Sequence, residues 1–136
     1  MRSIVIIFII YSVLDFCDSL CKTQHVTVIG QVGCGGRSVK NVEIELREHD
    51  TLDPDDSLNT TKSDGEGNFN IHGQECEVGS IKPYLRITHN CDDGVINPRC
   101  VIKDDISIPE QHIGGTYKMG IISLSIARNN HKRQCN

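Results

Sequence analysis

Four carboxylates, Asp50, Asp53, Asp55 and Asp56, crowd a seven-residue stretch of this chain. Hard oxygen ligands on a turn-forming loop are what a calcium ion takes, and Asp53, Asp55 and Asp56 are its candidate ligands here. The ligand spacing of an EF-hand loop is absent, and turns capped by Asp side chains account for the same residues without an ion. The acidic, glycine-rich stretch from Asp64 to Asn68 carries the same two readings.

Two other sets of residues offer chemistry. His25, Arg47 and His89 could serve acid–base catalysis, but that requires convergence within hydrogen-bond reach, and they are spread over three separate segments. Exposed polar positions on edge strands explain them more cheaply. His72 lies four residues before Cys76 and His89 two before Cys91, ligand types that zinc accepts. No Cys-x-x-Cys pair accompanies them, so a zinc site is not expected. Neither a catalytic residue nor a cofactor is assigned.

The cysteines point instead to oxidation. Arg2, the apolar run Ile4 to Leu14 and the small residue Ser19 have the layout of a secretory signal peptide, 1–19, followed by a domain over 20–136 with a short C-terminal tail. The apolar run is too short to span a bilayer, and no second one follows. Removal of the leader takes Cys17 with it and leaves six cysteines: Cys21, Cys34, Cys76, Cys91, Cys100 and Cys135. An even count in an exported chain reads as three disulfides. Losing Arg2, Asp15 and Asp18 as well takes the net charge from −4 to about −3, so the footprint of a nucleic-acid binder is missing. The one basic cluster, His131-Lys132-Arg133, reads as part of a solvated tail.

The elements that must position these residues follow a period of two. Val26, Val28 and Val32 alternate with Thr27, Ile29 and Gln31, and Val42, Ile44 and Leu46 alternate with Glu43, Glu45 and Arg47. Phe69 and Ile71, Leu85 and Ile87, Ile106 and Ile108, and Ile122, Leu124 and Ile126 continue the pattern. Turn-formers separate the runs: Gly33 to Gly36, Asp53 to Asp56, Asp64 to Gly67, Asn90 to Pro98 and Gly114-Gly115. A short helical turn fits near Pro109 to Ile113. Seven or eight short strands without a long amphipathic helix predict an all-β fold, an antiparallel β-sandwich stapled by disulfides.

The ordered pieces Gly30-x-x-x-Cys34-Gly35, Asn41-Val42-x-Ile44-x-Leu46, Glu48-x-Asp50, Asp53-Pro54-Asp55-Asp56-x-Leu58, Asp64-x-x-Gly67-x-Phe69-x-Ile71-x-Gly73, Pro83-Tyr84-Leu85-x-Ile87-x-His89-x-Cys91, Ile108-Pro109 and Gly120-x-Ile122-x-Leu124 resemble the nematode-type transthyretin-like family. The resemblance implies a transthyretin-like (prealbumin-like) sandwich, export, and no common biochemical activity. The chain departs from the family pattern at Arg37-Ser38 and in having Cys21 and Cys76. Two additional cysteines imply a bond with each other. Strands alternating up and down place Cys91 and Cys100 at one end across a turn-rich loop, so they are expected to pair, leaving Cys34 for Cys135.

Asn59-Thr60-Thr61 is a glycosylation sequon on an expected surface loop or strand edge. A hydrolase of the 5-hydroxyisourate type uses a related fold, but its Tyr-Arg-Gly-Ser tail is missing where this chain reads Ala127-Arg128-Asn129-Asn130. Recognition remains: a secreted, non-enzymatic binding module contacting an extracellular protein or cell-surface receptor, a lipid surface or a hydrophobic small molecule. It is not expected to span a membrane or bind nucleic acid, and a monomer and a homo-oligomer are both open. The alternatives are the hydrolase and a calcium-dependent binding domain.

Overall fold

The computed structural model describes residues 21–51, 54–128 and 131–136. The expected leader, 1–19, and the calcium candidate Asp53 lie outside the described residues.

Alternation builds the strands. In Glu43–Glu48 the side chains of Ile44, Leu46 and Glu48 are buried while those between them face outward. Pro83–His89 repeats this with Leu85, Ile87 and His89, and Cys100–Ser107 with Cys100, Ile102 and Asp104. In chain order the strands are β1 (Lys22–Cys34), β2 (Arg37–Ser38), β3 (Glu43–Glu48), β4 (Asp56–Lys62), β5 (Asn68–Glu77), β6 (Pro83–His89), β7 (Cys91–Asp92), β8 (Val95–Ile96), β9 (Cys100–Ser107), β10 (Thr116–Ser123) and β11 (His131–Cys135). A single 3₁₀ turn, Glu110–His112, occupies the segment where a helical turn is expected.

Among the described residues two large sheets result, as an all-β sandwich requires, with β7 and β8 forming a separate two-stranded ribbon. In the first, β1 is central, with β5 antiparallel on one side and β10 on the other, and β2 extends its far end. The second runs β11-β9-β6-β3-β4, antiparallel throughout. Their inner faces share one core of Val26, Val28, Val32, Ile44, Leu46, Phe69, Ile71, Leu85, Ile87, Ile122 and Leu124. Burying this apolar set is the main force joining the layers.

Three features of the strands depart from expectation. The β1–β10 pair is parallel, because the chain returns from β9 through the 3₁₀ turn to run alongside β1. Ile126 is exposed rather than inward, since β10 ends at Ser123 and a turn follows it. The C-terminal segment is not a solvated tail: His131–Cys135 pairs with β9, Cys135 directly opposite Cys100. It escapes the alternation test because an edge strand with little buried surface has no apolar row to reveal it.

The disulfides differ for the same reasons. The bonds are Cys21–Cys76, Cys34–Cys91 and Cys100–Cys135, so the expected Cys91–Cys100 and Cys34–Cys135 pairs are replaced. The 13-residue β1 delivers Cys34 to the loop that carries Cys91, and β11 lies against β9. A simple meander with a loose end anticipates neither.

Candidate functional site

The outer face of the first sheet carries an open groove. Outward positions of β1 stand beside those of β5 in register: Thr27 with His72, Ile29 with Asn70 and Gln31 with Asn68. Thr27 Oγ1 lies 2.7 Å from His72 Nδ1, and Gln31 donates from Nε2 to the Glu66 carbonyl at 2.7 Å. On the other flank, β10 contributes Lys118 and Ile121. Ile29, Gln31, Asn68, Asn70, Lys118 and Ile121 line a shallow, open groove of about 560 Å³.

A bulge shapes the groove. Ile29 pairs with Lys118 and Gln31 with Ile121, so Gly30 faces two residues of β10, Met119 and Gly120. Gly120 takes a positive φ of 72°, a conformation that glycine adopts without steric cost. The extra residue flips the alternation, turning Ile122 and Leu124 inward while Ile121 stands 77% exposed.

Inside the second sheet lies a polar network. The side chains of His89 and Asp104 are both fully buried, and His89 Nε2 is 2.7 Å from Asp104 Oδ2. The Cys91 backbone N–H donates to His89 Nδ1 at 3.0 Å, so Nδ1 is the acceptor nitrogen and Nε2 carries the proton. Burial lowers the His89 pKa against the pull of Asp104, in keeping with a neutral ring. His131 and Arg128 lie against Asp104 from β11 and the segment before it. His89 is therefore not an exposed edge residue, as the sequence reading has it. It continues the inward row of Leu85 and Ile87, and the two-residue period itself is the signal that finds it.

On the outer side of the second sheet, Tyr84 donates to Asp55 Oδ2 at 2.5 Å and accepts from Arg47 Nε at 2.9 Å. Asp55 Oδ1 also lies 3.1 Å from His49 Nδ1. The Tyr84 hydroxyl lowers the Asp55 pKa below its ordinary value. Arg86 clamps Asp105 through two hydrogen bonds, of 2.9 and 3.0 Å. His49, Asp55, Tyr84, Arg86 and Asp105 line a cleft of about 360 Å³, in which Arg86 offsets Asp105 and His49 faces Asp55.

The residues with catalytic chemistry are thus dispersed. His25 is on the outer face of the first sheet, Arg47 on the outer side of the second, and His89 within the core. The calcium candidates separate too, since Asp55 is held by Tyr84 and His49 while Asp56 opens β4 opposite Glu48. Asp64 Oδ1 accepts from the backbone N–H groups of Glu66 and Asn68, each at 2.9 Å, a turn that holds itself without an ion. Asn59 is an exposed residue of β4 whose Nδ2 donates to the His72 carbonyl at 2.8 Å. All six cysteines of 20–136 are bonded, so no thiolate is left for zinc. Among the described residues, no helix is long and apolar enough to cross a membrane.

Known proteins match this chain in sequence. The Transthyretin-like family model, TTR-52, covers residues 29–109, more than half of the chain. Transthyretin-like protein 16 of Caenorhabditis elegans is 42% identical over 99% of both chains. Transthyretin-like protein 5 of the same organism is 36% identical over 84% of this chain and 86% of its own. Transthyretin-like protein 2 is 29% identical over 87% and 86%. On the family match and these identities, this chain belongs to the transthyretin-like family.

Proposed function

We propose that this protein is a secreted, non-enzymatic recognition module that binds an extracellular or cell-surface protein through the outer face of β5, β1 and β10. The leader-like segment and three disulfides support export. The groove at Ile121 carries the recognition reading: Ile29 and Ile121 provide apolar contact, and Gln31, Asn68, Asn70 and Lys118 surround them with hydrogen-bonding groups and one cation. An apolar centre with a polar rim is how protein interfaces are built, whereas a small hydrophobic ligand asks for an enclosed pocket. Absence of turnover is supported by His89, whose two ring nitrogens are both engaged, and by the separation of His25, Arg47 and His89. Asn59 is the proposed glycan acceptor, at the seam between β4 and β5.

The experiment uses the mature protein as bait in native extracellular fluid, beside an Ile121→Glu variant and a reduced, unfolded control. The folded protein retains a specific protein that the control does not, and Ile121→Glu loses at least tenfold of it with an unchanged melting temperature. Equal retention by the variant, or partition into lipid vesicles instead, overturns the reading. So does turnover of purine-catabolite ureides. Light scattering on the same sample separates monomer from homo-oligomer.

A further inference from the structure

At one end of the sandwich Glu48, Asp50, Asp56 and Glu77 converge, with one carboxylate oxygen from each within 4.8 Å of all the others. Register places them there. Glu48 is the last member of the inward row Ile44, Leu46, Glu48 of β3, and Asp56 is its partner on β4. Glu77 ends the inward row of β5 that begins with Phe69 and Ile71, so it reaches the cluster from the opposite sheet. The Cys21–Cys76 disulfide anchors that end of β5 next to Glu77.

A second observation concerns Glu48 alone. It is only 4% exposed, and its Oε2 is buried without a hydrogen-bond partner. A buried carboxylate oxygen in this state calls for a proton or a cation. Among the described residues, the ion pairs formed by Arg47, Arg86, Arg128, Arg133 and three histidines involve neither Glu48, Asp56 nor Glu77. Burial raises the Glu48 pKa and the charges of Glu77, Asp50 and Glu75 raise it further, against a hydrogen bond from the Lys82 backbone to the same carboxylate, which lowers it.

We infer that Glu48, Asp50, Asp56 and Glu77 bind a divalent cation, and that the cation is calcium. Calcium takes six to eight oxygen ligands at about 2.3–2.6 Å in an adaptable shell, which carboxylates gathered from β3, β4 and β5 together with water can meet. Magnesium demands a near-ideal octahedron at about 2.1 Å and gives up its own waters reluctantly, which suits this mixed set of carboxylates less well. Glu48 supplies the inner oxygen, and exposed Asp56 leaves that side open for the waters that complete a calcium shell. The ion ties β3 and β4 of one sheet to β5 of the other. Of the three ligands expected from the Asp-rich stretch, Asp56 takes part and Asp55 is occupied elsewhere. This site is remote in kind and place from the recognition groove, and either stands without the other.

The test is the melting temperature of the mature protein, followed by circular dichroism, in chelator, in calcium chloride and in magnesium chloride at equal ionic strength. With an affinity in the range of about 0.1–1 mM usual for extracellular calcium modules, about 5 mM calcium raises the midpoint by roughly 5 °C, and magnesium raises it less. Glu48→Gln and Asp56→Asn each remove most of the calcium-dependent rise, and calorimetric titration shows at least a tenfold loss of calcium affinity. Asp56 is exposed, so its variant decides the matter even where Glu48→Gln folds poorly. A wild-type midpoint that is the same in calcium and chelator overturns the site. So does an Asp56→Asn protein that keeps the full rise. If Glu48→Gln raises the midpoint in chelator while calcium leaves the wild type unmoved, Glu48 holds a proton and the site is refuted.

Discussion

Asp104 accepts a 2.7 Å hydrogen bond from His89, and neither side chain reaches solvent. The pair sits among Ile87, Ile102 and Leu85, at positions where the two-residue period calls for apolar side chains. Its tautomer is dictated from outside the pair, because the Cys91 N–H occupies the other ring nitrogen. Cys91 is itself bonded to Cys34. The arrangement thus links β6 and β9 to β11 through His131 and to the Cys34–Cys91 staple, which is a structural use of residues that elsewhere perform catalysis.

Removing the acceptor should therefore be costly. Asp104→Ala leaves the His89 N–H buried without a partner and takes away the carboxylate that faces His131 and Arg128. Leaving a buried donor without its partner typically costs about 1–3 kcal/mol. Urea unfolding is expected to show a loss of that size, with His89→Gln milder. A loss below about 1 kcal/mol, the worth of an ordinary hydrogen bond, contradicts the assignment.

The same pair predicts an acid limb. Burial depresses the His89 pKa below the ordinary 6.5, so between these two values the unfolded chain binds a proton that the folded chain refuses. The His89 contribution is complete above about pH 6.5 and is lost as the pH falls through the window beneath it. Stability measured across pH 5 to 7 should decline more steeply for the wild type than for His89→Gln, and parallel curves contradict it.

Gly30 meets a steric demand. A Cβ at this position falls 2.9 Å from both Cε1 and Cζ of Phe69, closer than carbon atoms approach. Overpacking of this kind costs about 1–3 kcal/mol. Gly30→Ala should be destabilised by that amount, and Phe69→Leu, itself destabilising, should absorb part of the clash. A double-mutant cycle without coupling between the two positions refutes the contact.

The Cys100–Cys135 bond holds an edge strand whose side chains are largely exposed. With little packing to retain β11, its attachment depends on the ladder to β9 and this staple. Replacing both cysteines with Ser should release the amides of residues 131–135 to fast hydrogen exchange while β6 and β3 stay protected. The global cost is about 2–4 kcal/mol. Non-reducing peptide mapping of the wild type should recover Cys34 with Cys91 and Cys100 with Cys135.

Much of the fold is legible along the chain because strand alternation is local. The rows through Ile44 and Leu46, through Leu85 and Ile87, and through Phe69 and Ile71 each read as one buried face. The turns at Asp64 to Gly67 and at Gly114-Gly115 likewise separate the strands that they are expected to separate. By contrast β4 and β11 bury few side chains, so nothing periodic marks them until a neighbouring strand supplies their hydrogen bonds. Treating His89 as exposed follows from its polarity, although its place in the row says the reverse. Glu48 stands in the same position in its own row, after Ile44 and Leu46: polar type is a poor guide to facing when the period is intact.

The order of residue types alone establishes two apolar-faced layers, an even set of cysteines in 20–136 and the motifs of the transthyretin-like family, because each depends on neighbours within a few positions. Which cysteine meets which, the parallel docking of β10 on β1, the neutral His89 beside Asp104 and the convergence of Glu48 with Glu77 are decided only in three dimensions. Each joins segments tens of residues apart, and such encounters depend on strand length and register accumulated over the whole sandwich. A slip of one residue anywhere along a strand reverses every side chain on it.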